Sequence, residues 1–203
     1  MAPGGSKGKG HRRSGRRREI LRAALASFEE SGYEASTIEE IRRRSRASVG
    51  SIYHHFGGKA GIAAALYAEG LADYQAGLLA RLRRTRSARA LVKAVVRHHL
   101  DWAGANPAWA RYLMGMRRLE AVAAIEVRLR ELNRDVVREV TALVRPRMDA
   151  GEIEPLPIEI LLASLIGPAQ EFLRLWFSGR ADLGLRQARE LLAEAAWRSV
   201  RPD

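Results

Sequence analysis

Apolar residues recur at helical spacing along nearly the whole chain, and glycine, proline or serine separates these stretches. The first predicted helix covers 16–31, and its apolar face consists of Ile20, Leu21, Ala24, Leu25 and Phe28. The same periodicity predicts further helices over 59–82, 87–105, 121–144, 158–177 and 185–200, with Pro107 placed to start a short one. No segment has the period of two that is typical of a strand. The chain is therefore predicted to be all-α, with about nine helices.

The stretch 37–59 has a different pattern, with two short helices separated by a polar turn. Thr37 and Glu40 have the spacing of a capping box at the start of the first helix. Ser48 is a candidate N-cap for the second helix, which is predicted to end near His55. Ile52 gives this second helix an apolar back, while its front carries hydrogen-bonding side chains. Two short helices of this kind are typical of a helix-turn-helix.

The residue types and their spacing in this stretch resemble the amino-terminal signature of the TetR family of one-component transcriptional repressors. The matching residues are Gly32-Tyr33, Thr37, Ser48, Ile52-Tyr53-His54-His55-Phe56 and Lys59. The resemblance covers roughly 16–66, and beyond it only the length and the helical pattern agree. It implies a cytoplasmic homodimer with a three-helix DNA-binding domain over 16–60 and a helical ligand-binding and dimerisation domain over 61–203. It also implies that a small-molecule effector releases the protein from a double-stranded operator.

The second helix is expected to face the DNA bases. Its expected base-edge residues are Ser48, Val49, Ser51 and His54, and Gly50 would let the backbone approach closely. On the family's precedent, the expected phosphate contacts are Thr37, Tyr53, His55 and Lys59.

Two residues depart from the family pattern. Arg46 stands in the turn where the family usually has glycine, so it must adopt positive φ or alter the turn. Val49 stands where many members carry lysine, and a valine reads only shape or a thymine methyl group. The target sequence of relatives therefore cannot be transferred to this chain.

The charge distribution agrees with a nucleic-acid partner. The chain has a net charge of +12, and residues 1–60 hold 13 basic and 6 acidic residues, which is +7. Positive charge is thus densest around the predicted helix-turn-helix, as neutralisation of phosphates requires. Residues 1–15 are predicted to be a disordered basic arm. The arm either lies along DNA or is a tail without contacts.

Several other classes of function lack support in the sequence. Cysteine is absent, which excludes disulfides and thiolate metal sites. No apolar run of about 18 residues was found, so no membrane span is expected. The adjacent pairs His54-His55 and His98-His99 point about 100° apart on a helix and cannot share a metal as residues four apart do. With no phosphate loop and no nucleophile motif, neither an enzyme activity nor a cofactor is predicted.

Two larger sets of residues are assigned to the second domain. The candidate effector-binding residues are Tyr74, His98, Trp102, Trp109, Tyr112, Met116, Gln170, Glu171 and Arg174. The candidate dimer-interface residues are Ile158, Leu162, Leu165, Phe172, Leu191, Leu192 and Ala195. Both sets have a simpler interpretation, in which the residues form the core of one protomer.

Two other functions remain open. One is a helical protein that binds DNA without operator specificity, and the other is a helical ligand-binding protein. A repressor prefers its operator by roughly 10³ or more over random DNA, so a specificity ratio separates these classes.

Overall fold

The computed structural model describes residues 7–116 and 126–202, and the side chains within 15–115 and 133–202. Within these residues all regular secondary structure is helical, which confirms the predicted fold class. The described helices are α1 (Lys7–Ala35), α2 (Ile38–Ser45), α3 (Val49–Phe56), α4 (Lys59–Leu82), α5 (Ala88–Ala105), α6 (Pro107–Met116), α7 (Glu126–Asp149), α8 (Ile158–Phe177) and α9 (Leu185–Val200). The first six residues of the basic arm, the start of the helix predicted over 121–144 and the Met116 side chain lie outside the described parts.

Two helix ends differ from their predicted positions. Helix α1 begins at Lys7 instead of 16, and Gly32 (φ 79°, ψ 162°) interrupts it close to its predicted end. Helix α7 continues through Pro146 to Asp149, beyond its predicted end at 144. The guanidinium of Arg147 donates to the Leu143 carbonyl (2.5 Å) and so occupies an acceptor in the turn around the proline.

The chain forms two compact units. One comprises Met1–Gly70 with Arg111–Glu126, and the other comprises Leu71–Ala110 with Val127–Asp203. The division falls inside α4, whereas the sequence placed it near residue 60. The second half of α6 belongs to the first unit, so this unit includes a segment that the sequence assigned to the second domain.

The first unit is built around the apolar face of α1. Its fully buried side chains come from α1, α2, α3 and α4 and include Ile20, Leu21, Ile41, Ile52, Ile62 and Leu66. Because Ile41 and Ile52 are each 0% exposed, they fix the inner sides of α2 and α3. The opposite sides of these two short helices are left at the surface.

In the second unit, α5 packs against α8 and α9. Ion pairs reinforce the contact between α5 and α9, since Lys93 and Arg89 both bind the Glu194 carboxylate (2.8 and 3.0 Å). Hydrogen bonds from these two side chains lower the pKa of Glu194 to about 2. Asp101 of α5 likewise accepts from Arg189 of α9 (2.9 Å). The register of α5 against α9 is therefore fixed by charge as well as by packing.

Helix α8 stands out because it is apolar and little covered. Within the described residues it is the one helix that is long and apolar enough to cross a membrane by length and composition, and 22% of its most apolar stretch is buried. The expectation that the chain has no apolar run long enough to span a membrane is therefore wrong as far as length and composition are concerned. The stretch also carries the Glu171–Arg174 ion pair (2.5 Å).

Candidate nucleic-acid interface

Helix α2 begins with the cap that the sequence predicts. The Thr37 hydroxyl accepts from the backbone N–H of Glu40 (3.1 Å), and Thr37 has the extended conformation of an N-cap. Near its other end, Arg44 pairs with Glu30 of α1. Cations in the last turn favour the helix macrodipole, and this pair also ties α2 to α1.

The turn between α2 and α3 contains the unusual Arg46. Its backbone is left-handed (φ 53°, ψ 25°), so of the two options that the sequence left open the chain adopts positive φ. The hydroxyl of Ser45 accepts from the N–H of Ala47 (3.3 Å), and the Ala47 side chain is buried. These contacts hold a conformation that costs a non-glycine residue about 1–2 kcal/mol. The Arg46 side chain itself is exposed.

Helix α3 has well-defined ends. Ser48 caps its start by accepting from the N–H of Ser51 (3.1 Å), and Gly57, with φ 73°, closes its end by donating to the Tyr53 carbonyl (2.8 Å). Ile52 is fully buried on the inner side. A short helix held at both ends and along its back is rigid enough to present a fixed front.

We call this front the recognition face. It comprises Ser48, Val49, Gly50, Ser51, Tyr53, His54 and His55. Val49 is 44% exposed and Tyr53 is 53% exposed, which is uncommon for large apolar and aromatic side chains. Ser48, Gly50 and His54 are also exposed, and Ser51 and His55 are half-buried. The candidates for DNA contact on α3 are thus all at least partly accessible, and Thr37 is exposed at the start of α2.

Lys59 does not have the free ammonium group that a phosphate contact would use. Its Nζ donates to the backbone carbonyls of Tyr33 (2.9 Å), Glu34 (3.0 Å) and Ser36 (3.0 Å). It also lies 4.6 Å from the centroid of the Tyr33 ring. Because an ammonium has three N–H donors, all of them are engaged within the protein.

Tyr112, predicted to line the effector pocket, instead completes the core of the first unit. Its ring stacks on Phe28 of α1 (centroids 5.9 Å apart), and its hydroxyl donates to the Ala63 carbonyl of α4 (2.8 Å). Next to it, Arg111 pairs with Glu29 (2.6 Å). The position of Tyr112 on α6 thus brings it back to α1 and α4, and its assignment to an effector pocket stays a prediction.

The close approach of α3 and α4 depends on Gly61, which the sequence analysis did not single out. A Cβ added to Gly61 would lie 1.7 Å from the carbonyl oxygen of Phe56. No side chain fits there without moving the backbone. The run Gly57-Gly58-Lys59-Ala60-Gly61 contains this signal, but the third glycine appeared to belong to an ordinary helix.

A polar and aromatic cluster lies in the second unit, where α4 meets α5. The Tyr74 hydroxyl lies 3.1 Å from Nδ1 of His99, and Nε2 of His98 donates to the Tyr74 carbonyl (2.8 Å). The ring of Trp102 packs edge-on against Tyr74 (5.4 Å), and its Nε1 donates to Asp73 (2.8 Å). Nε2 of His99 is buried and has no hydrogen-bond partner within the described part of the chain.

Burial governs the protonation of this cluster. It lowers the pKa of His99 to about 4 and raises the pKa of the Tyr74 phenol. Burial also lowers the pKa of His98, against the opposing effect of its bond to the Tyr74 carbonyl. Both imidazoles are therefore neutral at pH 7, and His99 presents one unused polar atom.

The other candidates for effector binding do not join this cluster in any contact that the described residues make. Trp109 and Gln170 are half-buried. Glu171 and Arg174 are exposed and pair with each other, so neither lies in an enclosed pocket. Of the predicted effector-binding residues, His98 and Trp102 both contact Tyr74. His99, which lies outside that set, also contacts Tyr74. Among the described residues no cluster of His, Asp and Glu side chains is arranged to hold a metal ion.

Residues 20–66 match the family of bacterial regulatory proteins called the tetR family. Among curated proteins, the chain is 32% identical over 88 residues to the HTH-type transcriptional regulator BetI 2 of Chromohalobacter salexigens, a match that covers 42% of each chain. It is 42% identical over 53 residues to the HTH-type transcriptional repressor AcnR of Corynebacterium glutamicum, covering 26% of this chain and 28% of that one. The matches thus span less than half the length of these relatives.

Solved structures resemble the chain over nearly its full length. A TetR family regulator from Marinobacter aquaeolei has a TM-score of 0.79 at 17% identity, covering 95% of this chain and 99% of that one. The regulator FadR of Bacillus subtilis, solved in complex with stearoyl-CoA, has a TM-score of 0.74 at 18% identity, covering 88% and 96%. At these identities the likeness concerns the fold. Together with the amino-terminal match and the geometry of α2 and α3, it shows that residues 20–66 form a helix-turn-helix domain of the TetR family of transcriptional regulators, in a chain with the fold of such regulators.

Proposed function

We propose that the protein is a sequence-specific DNA-binding repressor that a small molecule releases from its operator. The observation that carries the proposal is the recognition face, where α3 is capped at both ends, anchored by Ile52 and open to solvent on the other side. A helix of these dimensions fits the major groove of B-DNA, where base edges can be distinguished. The TetR family consists of regulators, not enzymes.

The charges around α2 and α3 support a DNA partner. Arg18, Arg22 and Arg46 are exposed, and no carboxylate pairs with them within the described part of the chain. Unpaired arginines beside a recognition helix are suited to phosphate contacts, which position the protein without reading sequence. The recognition face itself carries hydroxyl, imidazole and methyl groups, which are able to discriminate bases.

Selection of binding sites from a random duplex library tests this proposal. A repressor of this kind enriches one motif, and a symmetric dimer makes that motif an inverted repeat. A general DNA-binding protein enriches no motif, and a ligand-binding protein retains no DNA. The three classes of function therefore give three different results in one experiment.

We also propose that α8 and α9 form the interface of a homodimer. Ile160 of α8 is 53% exposed and Leu191 of α9 is 57% exposed. Between the two helices runs an open groove of about 340 Å³, lined by Ser164, Leu165, Pro168, Ala169, Leu192, Ala195, Ala196 and Ser199. Small residues along such a groove allow close approach of helices from a second copy, which would give a four-helix bundle.

The predicted interface residues differ in how far they support this arrangement. Ile158, Leu162, Phe172 and Leu192 are half-buried, and Leu191 and Ala195 are exposed, so their side chains are accessible to a partner. Leu165 is 2% exposed, so it lines the floor of the groove and offers little accessible surface to a partner.

Replacing Leu191 with glutamate tests the interface. A charge buried between two protomers costs several kcal/mol, so L191E should sediment as a folded monomer. The matched control is R186E, which places the same side chain at an exposed position of α9 about 140° away around the helix. A fully dimeric L191E would place the interface elsewhere.

We propose that the Tyr74–His99 pair receives the polar group of the effector. The unpartnered Nε2 of His99 lacks a hydrogen bond that a ligand is able to supply, and a buried unpaired polar atom costs about 1–3 kcal/mol. A neutral imidazole and a neutral phenol favour an uncharged effector over an ionic one. In a thermal-shift screen of small molecules, hits should raise the melting temperature of the wild type and lose that effect in His99→Leu. Hits that stabilise both proteins equally would move the effector site away from His99.

A further inference from the structure

Lys59 is the first residue of α4, yet its side chain reaches back to the segment between α1 and α2. We call this segment, 33–36, the α1–α2 link. Nζ of Lys59 donates to three of its four carbonyls, at distances of 2.9, 3.0 and 3.0 Å. We propose that Lys59 is a positioning residue for DNA recognition, which acts by clamping this link and so fixing the start of α2. The inference rests on the proposed DNA-binding function.

The link needs such support because the helix before it is broken. Gly32 (φ 79°, ψ 162°) ends the regular part of α1, and the carbonyls that follow lack the partners of a continuous helix. From the inner side, the Ser36 hydroxyl, 1% exposed, lies within hydrogen-bond distance of the carbonyls of Gly32 (2.7 Å) and Ser27 (3.0 Å). Lys59 holds the link from α4, so two helices fix its path.

The clamp affects DNA recognition through the residue that follows the α1–α2 link. Thr37 follows the link directly and is the N-cap of α2. Its orientation sets the first turn of α2, and with it the N-terminus that is expected to face a phosphate. Since Lys59 belongs to α4, the clamp also makes the position of Thr37 depend on the first turn of that helix.

The electrostatics favour this role for a lysine at this position. A cation at the start of α4 opposes the macrodipole of its own helix. The carbonyls at the end of α1 carry partial negative charge and offset that cost. The nearby Tyr33 ring, 4.6 Å from Nζ, adds a cation–π contact. The ammonium is therefore stabilised within the protein and needs no phosphate for this purpose.

A charge-preserving substitution separates the clamp from a direct phosphate contact. Arginine binds phosphate at least as well as lysine, but its donors are spread over three nitrogens in one plane. It cannot converge on three carbonyls as one ammonium does. If Lys59 held a phosphate, Lys59→Arg would keep the wild-type affinity for the operator. The clamp predicts instead that Lys59→Arg loses operator affinity by about tenfold or more, while affinity for random DNA stays the same.

Lys59→Met and Arg43→Met form a matched pair. Each removes one positive charge from the first unit, but Arg43 is exposed and takes no part in the clamp. The clamp predicts that both variants change the salt dependence of random-DNA binding equally, and that only Lys59→Met loses operator preference. If Lys59 contacts a phosphate and Arg43 does not, the salt slope of Lys59→Met should be lower than that of Arg43→Met by about 0.9. That result would overturn the inference.

Affinities are compared at a temperature where circular dichroism shows every variant folded, so that a general loss of stability does not enter the ratio. Amide hydrogen exchange over 36–41 gives a readout without DNA. It should be faster in Lys59→Arg and Lys59→Met than in Arg43→Met, and equal rates would overturn the inference. If the wild type shows no operator preference, the proposed function fails. The exchange rates then still decide whether Lys59 holds the α1–α2 link in place.

Discussion

At the scale of single residues, Gly61 allows a prediction about stability. Replacing it with alanine should destabilise the first unit by about 2 kcal/mol or more, because the new methyl group would overlap the Phe56 carbonyl and the backbone must move. Gly50→Ala is the matched control, since nothing lies within 4 Å of a Cβ at that position. Alanine at position 50 should be neutral or stabilising, by up to about 1 kcal/mol. Urea denaturation measures both stabilities, and equal values for the two variants would contradict the assigned contact.

Single residues also differ in how far the sequence revealed their contacts. The caps formed by Thr37 and Ser48 depend on partners three residues away, so their spacing revealed them. For Arg46 the sequence left two options, positive φ or an altered turn, and the structure has positive φ. Lys59 differs, since its carbonyl partners lie 23 to 26 positions earlier in the chain. No local pattern identifies such a contact.

His99 makes stability depend on pH. Above pH 6.5 neither the folded nor the unfolded chain binds a proton at this residue. Below it, the unfolded chain is protonated first, because burial lowers the folded pKa to about 4. His99 should therefore cost about 2 kcal/mol of stability between pH 7 and pH 5.

The variant His99→Gln isolates this effect. Glutamine does not titrate but still offers a polar group to Tyr74. The difference in unfolding free energy between pH 7 and pH 5 should be about 2 kcal/mol smaller in the variant than in the wild type. Identical pH profiles would show that His99 is accessible to protons in the folded state.

At the scale of helices, periodicity predicted most elements but not all of their ends. Helices α4 and α8 have the bounds that the apolar pattern gives. The start of α1 at Lys7 was missed because the basic stretch before 16 has no apolar face. The course of α6 was missed for another reason. Its sequence shows an aromatic cluster but does not reveal that Tyr112 packs on α1.

Helix α3 as a whole allows a prediction about recognition. Val49 occupies its first position and offers methyl groups suited to a thymine methyl. Val49→Ala should reduce the preference at one base pair per half-site by about 1 kcal/mol, and leave affinity for random DNA unchanged. Competition binding with single-base variants of the operator measures this. An equal loss on all DNA would mean that Val49 supports the helix but does not read a base.

At the scale of the whole molecule, the first unit carries the recognition face and the second unit carries an uncovered apolar surface. One short helix reads too few base pairs to select a single genomic site, so recognition requires two copies in a fixed geometry. We propose that the exposed Ile160 and Leu191 belong to the surface for such an assembly. The sequence predicted the apolar character of α8 and α9, but the burial of Leu165 was not visible in it.

The most direct test of sequence-specific recognition is a ratio of two dissociation constants at one salt concentration. The selected inverted repeat and a scrambled duplex of the same length and composition are titrated by fluorescence anisotropy. The account predicts that the repeat binds roughly 10³-fold or more tightly. If both duplexes bind within about tenfold of each other, phosphate contacts alone explain the affinity, and the protein is not an operator-specific repressor.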